Sequence, residues 1–246
     1  MEQPKTSSQI WKNRRIGITG AKGSLGRSLT KAFRRKGAFV VGLTHSKTPS
    51  EEDSVESPQQ WITWKCGEEI LLKETLQSLD LLVINHGINP QGNQSRDAIN
   101  KAIEINALSS WRLLAQFEEI ALNSEDFSNK KEVWINTSEA EIQPALSPAY
   151  EISKRLIGEL VSLNWNNLTE EQKAFFKIRK LILGPFRSDL NPVGIMSADF
   201  VANQVIKQVE LGLSLIIVTP NPLTYLLMPL IEICRRIYSK TLNTKA

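Results

Sequence analysis

Short apolar runs alternate along this chain with longer stretches of helical periodicity. Ile16–Thr19 predicts a first strand, followed by a glycine-containing turn. Leu25, Leu29, Ala32 and Phe33 then recur at i, i+4, i+7 and i+8 on one helical face, and Gly37 stands where that helix should stop. Phe39–Leu43 predicts a second strand. Residues 46–60, rich in Ser, Pro and Glu, predict a loop, Trp61–Trp64 a third strand and Glu68–Leu79 a helix. Leu81–Asn85 predicts a fourth strand, and a polar loop from Asn89 to Asp97 leads into a helix over Ile99–Leu122. Val133–Thr137, Ile178–Leu183 and Leu215–Val218 complete the strands, with helices over Tyr150–Trp165 and Ala198–Leu211 between them.

Alternation of this kind predicts parallel strands joined by right-handed helical crossovers, with helices on both faces of the sheet. Runs such as LLVIN and LIIV are apolar throughout, as strands buried on both faces are. The expected fold is one doubly wound α/β domain of about seven strands over residues 14–220. An extension at 1–13 precedes it, and a helical, amphipathic segment at 221–246 follows it. No internal repeat and no linker divides the chain. Such sheets bind ligands beyond the carboxyl ends of their strands, where the strand order reverses. The chemistry is therefore expected just after strands one, four, five and six.

Composition narrows the setting. A chain of 246 residues with 41% hydrophobic residues has material for a sizeable core. Two cysteines, Cys66 and Cys234, and two histidines, His45 and His86, argue against a disulfide framework or a zinc site and fit a reducing cytoplasm. The opening MEQPKTSSQIWKNRR has no leader-like apolar stretch, and no run of about 18 apolar residues predicts a membrane span. Residues 1–47 hold 11 Lys/Arg against one acid, Glu2. Nucleic-acid binding is one use of such a patch, set aside in favour of a solvated face and of attraction for a phosphorylated cofactor.

After strand one comes Thr19-Gly20-Ala21-Lys22-Gly23-Ser24-Leu25-Gly26. Glycines here permit a tight turn and close backbone approach to a pyrophosphate, and the following helix N-terminus offers unpaired N–H groups to that anion. Its place between a strand and an amphipathic helix makes a Rossmann-type dinucleotide site the expectation.

With this turn the chain resembles the short-chain dehydrogenase/reductase family, and later segments extend the resemblance across roughly residues 14–219. Asn85-His86-Gly87 is similar to the family's Asn-Ala-Gly segment. Asn106 stands where the family carries a helix asparagine, and Thr137-Ser138 follows strand five. Tyr150-Glu151-Ile152-Ser153-Lys154 matches Tyr-x-x-x-Lys, and Gly184-Pro185-Phe186-Arg187-Ser188 resembles the Pro-Gly…Thr segment around the nicotinamide. The resemblance implies that Asn85, His86 and Gly87 lie beside the adenosine half of the cofactor. It also implies that Lys154 holds the nicotinamide ribose, that Asn106 supports a water-linked proton relay through Lys154, and that the protein is a homodimer or homotetramer. The chain departs from the pattern in several places. Ser24 replaces the middle glycine, so that Gly20, Gly23 and Gly26 have the spacing of longer, extended members. Trp64-Lys65-Cys66-Gly67 lacks the adenine-side aspartate, Leu183 replaces a proline and Ser188 a threonine.

Elementary chemistry agrees with these positions. Tyr150 and Lys154, at i and i+4, share a helical face. A free tyrosine is a poor base near neutrality, and a neighbouring ammonium is expected to lower its pKa toward the working pH. Ser138 is placed to hydrogen-bond the substrate oxygen. At the end of strand two, Leu43-Thr44-His45-Ser46-Lys47 contains no carboxylate before Glu51. Thr44, His45 and Ser46 can donate hydrogen bonds while Lys22, Arg27 and Lys47 add positive charge, which favours NADP(H) over NAD(H).

The expected activity is NADP(H)-dependent hydride transfer at a carbonyl or alcohol carbon, with Tyr150 as acid–base. Two other readings stay open: a sugar-nucleotide epimerase or dehydratase, suggested by the glycine spacing, and a non-catalytic nucleotide sensor. Arg187–Ser197 is short and predicts an open site that admits a long or carrier-bound substrate, a lipid-like one if the C-terminal segment meets a membrane, with Glu139 and Glu141 either at its entrance or solvated. Leu223–Lys240 is apolar at helical spacing and contains Pro229, which is expected to kink or interrupt the helix. It reads either as a helix packed on its own core or on a second subunit, or as a peripheral membrane contact through residues 221–240.

Overall fold

Period-two burial divides every central strand between two helical layers. The computed structural model describes residues 7–46, 54, 56–124 and 130–243; Lys47 and Glu51 lie outside them. A short helix α1 (Ser7–Trp11) precedes β1 (Arg15–Thr19), α2 (Ser24–Arg35), β2 (Phe39–Thr44) and β3 (Gln60–Thr63). Next come a 3₁₀ turn (Glu69–Leu72), α3 (Lys73–Gln77), β4 (Leu81–Ile84), α4 (Arg96–Ala102), a π-helical turn (Ile103–Leu108) and α5 (Ser109–Leu122). Then follow β5 (Lys131–Ser138), a 3₁₀ turn (Glu139–Glu141), α6 (Pro148–Asn167), α7 (Gln172–Phe175) and β6 (Phe176–Leu183). The chain ends with α8 (Ala198–Glu210), β7 (Leu215–Val218) and α9 (Pro222–Asn243).

The seven strands are parallel in the order β3-β2-β1-β4-β5-β6-β7, the Rossmann-type arrangement expected. Ile16, Ile18, Leu81, Val83 and Trp134 face α2 and α8. Leu82, Ile84, Val133 and Ile135 face α3, α5 and α6 on the other side. The chain steps outward from β1 to β3 and then crosses back to β4, so β1 and β4 are neighbours, with Ile18 opposite Val83. Their carboxyl ends open the crevice in which the site lies.

Several boundaries differ from expectation for physical reasons. The helix expected over Glu68–Leu79 is a tight turn and one short helix. Buried Glu69 accepts hydrogen bonds from the Gly67 amide at 2.9 Å, the Ser109 hydroxyl at 2.6 Å and Arg112 Nε at 2.7 Å, which pins its first turn. The helix expected over Ile99–Leu122 begins earlier, at Arg96, because the Ser95 side chain caps it by accepting from the Ala98 amide at 3.2 Å. It is interrupted by the π turn around Asn106.

The two chain ends are tied to this body. Trp11, within the segment read as an extension, is fully buried; its ring lies 5.1 Å from Phe33 and 5.8 Å from Trp134, and its Nε1 donates to Glu210 at 2.7 Å. Pro229 does not interrupt α9, which runs as one helix through it. Thr224, Met228 and Glu232, one per turn, are buried on both sides of the proline and hold the two halves in line.

Candidate active site

The glycine turn between β1 and α2 requires its glycines for two distinct reasons. Gly20 has φ of +63°, and a Cβ there would meet the His86 backbone at 3.0 Å. A Cβ on Gly26 would lie 2.3 Å from the Gly20 carbonyl oxygen, so α2 can pack this closely only with glycine. Gly23 closes the turn through its amide, 2.9 Å from the Gly20 carbonyl, and stands as the N-cap of α2. No side chain caps that end and no acid occupies its first turn, which leaves the amides of Ser24 and its successors facing the crevice. Leu25 is buried beneath them. The donors fit a pyrophosphate.

At the end of β2 a small polar cluster forms. Lys22 Nζ donates to the Ser46 hydroxyl at 2.9 Å, and that hydroxyl lies 3.2 Å from Thr44 Oγ1. His45 and Ser46 are exposed and Thr44 is buried. Arg27 donates back to the Lys22 carbonyl, fixing the loop that carries the lysine. The structure thus brings together Lys22, Thr44 and Ser46, with His45 beside them. Other members of the basic N-terminal third are engaged separately, Arg34 with the Ser57 carbonyl, Lys36 with Glu210 and Lys31 with Glu56.

Thr19, which sequence reasoning passed over, organises the next segment. Its hydroxyl accepts from the amides of Asn85 at 2.8 Å and His86 at 3.1 Å and lies 2.9 Å from His86 Nδ1. The only hint in the sequence was its place as the last residue of a strand before Gly20. His86 also meets Trp64 edge-on, with ring centroids 5.2 Å apart. Burial first, then the Lys154 charge, pushes the His86 pKa down to about 4. The ring is neutral near pH 7.

Asn106 holds the other side of the same loop. Its Oδ1 accepts from the Ile88 amide at 2.7 Å, and its Nδ2 donates to the Ile88 carbonyl at 2.9 Å and to Ser153 Oγ at 2.8 Å. A Cβ on Gly87 would lie 3.0 Å from Asn106 Oδ1, so the loop needs glycine to approach this closely. The amide is therefore occupied in positioning the loop.

Ser138, Tyr150 and Lys154 converge on a cavity of about 400 Å³ together with Asn85, His86 and Gly87. Gly184, Pro185 and Ser188 line it from the β6 side. Ser138, at the end of β5, turns the chain by accepting from the Ala140 amide at 3.2 Å. Lys154, buried, donates to the Asn136 carbonyl at 3.0 Å, and its Nζ lies 5.7 Å from the Tyr150 ring centroid. Asn136, also missed from the sequence, donates through its Nδ2 to Asn85 and joins the two walls.

One electrostatic expectation is overturned. Burial raises the Tyr150 phenol above its ordinary range, opposed by a hydrogen bond with Ser138 and reinforced by the Glu139 carboxylate. Burial also pushes Lys154 down to about 8, against the pull of Glu141. Burial thus disfavours the charged form of both groups. Glu139 lines the cavity and accepts from the Thr219 hydroxyl at 2.5 Å. Glu141 is at neither the entrance nor the surface: it is buried and paired with Lys180 at 2.8 Å.

The segment Arg187–Ser197 lines part of the cavity. The Arg187 amide donates to the Met196 carbonyl at 2.8 Å, and Gly194 lies so close to Phe186 that a Cβ would approach its carbonyl carbon to 2.0 Å. Val193 and Ile195 line the cavity yet are 87% and 74% exposed, so its rim is apolar and open.

Comparison with known proteins agrees with this architecture. A short-chain dehydrogenase from Burkholderia cenocepacia in complex with NADP is similar in fold, with a TM-score of 0.71 at 15% identity over 84% of this chain and 88% of that one. One from Sphingobium yanoikuyae in complex with NADPH has a TM-score of 0.71 at 15% identity, covering 92% and 95%. The monoglucosyldiacylglycerol epimerase of Synechocystis sp. is 39% identical over 240 residues, 96% of this chain. The chain spans 56% of that relative's length, about half. The model of the NAD dependent epimerase/dehydratase family matches residues 16–176, more than half of the chain. The chain belongs to this family of enzymes, within the short-chain dehydrogenase/reductase superfamily.

Proposed function

We infer that this chain catalyses reversible hydride transfer at a secondary alcohol carbon of a sugar. Its net reaction is inversion of one ring hydroxyl on a glycosylated lipid. The carrying observation is the convergence of Ser138, Tyr150 and Lys154 on one wall of a cavity whose rim is apolar and open. The monoglucosyldiacylglycerol epimerase to which the chain is 39% identical supports the reading. Where the expectation from the sequence placed carbonyl reduction first, this relative moves the weight to epimerisation.

NADP(H) is the cofactor that the site residues suit. The amides at the α2 N-terminus and Gly20, Gly23 and Gly26 would hold its pyrophosphate, and Lys22, Thr44, His45 and Ser46 its 2′-phosphate. Asn85, His86, Gly87, Gly184, Pro185 and Ser188 would flank its two ends. When bound, this cofactor supplies hydride acceptance and return. Tyr150, in its phenolate form, takes the proton from the substrate hydroxyl in the oxidative half, and the phenol so formed returns it in the reductive half. Ser138 hydrogen-bonds the same oxygen as its charge develops. Lys154 stabilises the phenolate form of Tyr150 while that form exists, and Asn106 keeps the Ile88 loop and Ser153 in register with it.

The test is incubation of the purified chain and NADP with monoglucosyldiacylglycerol, the sugar being identified after hydrolysis. Conversion to the epimeric sugar without net NADPH formation supports the reading. Stoichiometric NADPH formation with a stable ketone, or turnover of simple carbonyl compounds alone, overturns it in favour of a dehydrogenase.

A further inference from the structure

Helix α9 is amphipathic in the reverse sense. Polar residues of its first four turns face the protein: Glu232 accepts from Lys180 at 2.9 Å and from Arg235 at 2.7 Å, the Ser162 hydroxyl lies 3.0 Å from Glu232, and Thr224 accepts from Gln143 at 2.8 Å. Its apolar residues face outward. Leu223, Leu226, Leu227, Leu230, Ile233 and Ile237 are 39–62% exposed and recur at helical spacing along the side opposite Thr224, Met228 and Glu232. A helix bordered by water has the opposite arrangement. A medium less polar than the protein interior would produce this one, as it does for helices that turn their charges inward in lipid.

Charge selects among the possible occupants. Glu232 is the only carboxylate in α9, and it is turned inward. Arg236 is exposed and lies 6.0 Å from the Trp165 ring. Exposed Tyr238 stands toward the far end of the apolar stripe, where the polar end of its ring suits a lipid headgroup layer, while the hydroxyl of Tyr225 at the near end is turned to the Thr219 carbonyl at 3.3 Å. The surface therefore offers apolar and cationic groups and no exposed acid from the helix.

The stripe is also joined to the site. The start of α9 is fastened to the segment after Ser138: Thr219 and Thr224 both donate to Glu139, and Asn221 donates to Gln143 at 2.6 Å. That segment leads to Leu146, a cavity-lining residue that is 96% exposed. No described helix is long and apolar enough to cross a membrane, so contact by this helix would lie in the plane of the interface.

We propose that the outer face of α9 docks on the interface of an anionic lipid bilayer, with the apolar rim of the cavity turned toward the same surface. This deepens the glycolipid reading above by naming where the substrate is drawn from, and it rests on that reading only in that respect.

Flotation of the full chain with phosphatidylcholine vesicles, with and without phosphatidylglycerol, tests it without any turnover. The comparison is the triple variant Leu226→Glu, Leu230→Glu, Ile233→Glu, with NADPH binding as the check that it has folded. The expected result is flotation of the native chain, stronger with phosphatidylglycerol, and at least about a tenfold loss of bound protein in the variant. A native chain that stays unbound, or a folded variant that floats equally, overturns the proposal. So does a native chain that fails to float but is a dimer which the variant breaks, because a second copy then covers the face. Each of these results leaves the epimerase assay free to succeed or fail.

Discussion

The Asn106 amide and the Ile88 peptide are bonded in both directions, Ile88 N–H to Oδ1 at 2.7 Å and Nδ2 to the Ile88 carbonyl at 2.9 Å. This pair closes the loop after β4 onto the π turn, and the third bond, to Ser153, extends the clamp to the helix carrying Tyr150 and Lys154. Replacing Asn106 by Leu takes away the partner of three polar groups, two on half-buried Ile88 and one on buried Ser153. The expected loss is about 2–4 kcal/mol of stability, with weaker NADPH binding, read by urea unfolding and fluorescence titration. Unfolding midpoints that coincide would remove the clamp from the account.

Tyr150→Phe takes away only the hydroxyl. It is expected to lower turnover by about 10²-fold or more while NADPH binding changes little. Turnover that survives in Tyr150→Phe would assign the proton to another group, Glu139 being a carboxylate on the same cavity wall.

His86 gives the protein an acid-side weakness. Its folded pKa is about 4, and an unfolded histidine titrates near 6.5, so the unfolded chain takes up the proton first as pH falls. The stability held above about pH 6.5 is therefore lost progressively toward pH 4, by up to about 3 kcal/mol. His86→Asn should flatten the thermal-stability profile over that window. Profiles of equal slope for the two proteins would show that the acid sensitivity arises elsewhere.

Much of this architecture was legible in the sequence because it rests on local periodicity. Strands buried on both faces read as continuous apolar runs, and Tyr150 and Lys154 share a face through helix geometry alone. What was not legible depends on partners far along the chain. Thr19 and Asn136 act through neighbours 66 and 51 residues away, and no spacing rule joins them. Asn106 sits in a helical pattern whose π turn leaves no trace in hydrophobic periodicity. Burial of Lys154 and Tyr150 moves their pKa values against the pairing argument, because desolvation is the largest influence on each. Glu141 looked like a loop carboxylate until Lys180, on the neighbouring strand, supplied its partner.

Lys22 is expected to set cofactor preference. Lys22→Ala removes a cation 2.9 Å from Ser46 and leaves Thr44 and His45 in place. The ratio of NADPH to NADH affinity should fall about tenfold, roughly 1.4 kcal/mol, mainly through weaker NADPH binding. An unchanged ratio in paired titrations would move 2′-phosphate recognition away from this cluster.

Lys180 is the last of these tests, and its environment makes the sign of the effect clear. Its ammonium, fully buried, donates to Glu141 at 2.8 Å and to Glu232, Ser162 and the Gly158 carbonyl at 2.9 Å each. The Glu232 carboxyl is opposed by burial, yet the Lys180 and Arg235 charges hold it below its ordinary range. Lys180→Met leaves two inward-facing carboxylates with Arg235 alone to balance them. Breaking a buried ion pair from one side costs about 3–5 kcal/mol, and the exposed end of Arg235, which also reaches Glu159, cannot restore the lost donors. Replacing Glu141 as well, in Lys180→Met with Glu141→Leu, removes the stranded charge, so the double variant should recover part of the loss. A single variant within about 1 kcal/mol of the native chain would mean that this cluster, and with it the seat of α9 on α6 and β6, contributes little to the fold.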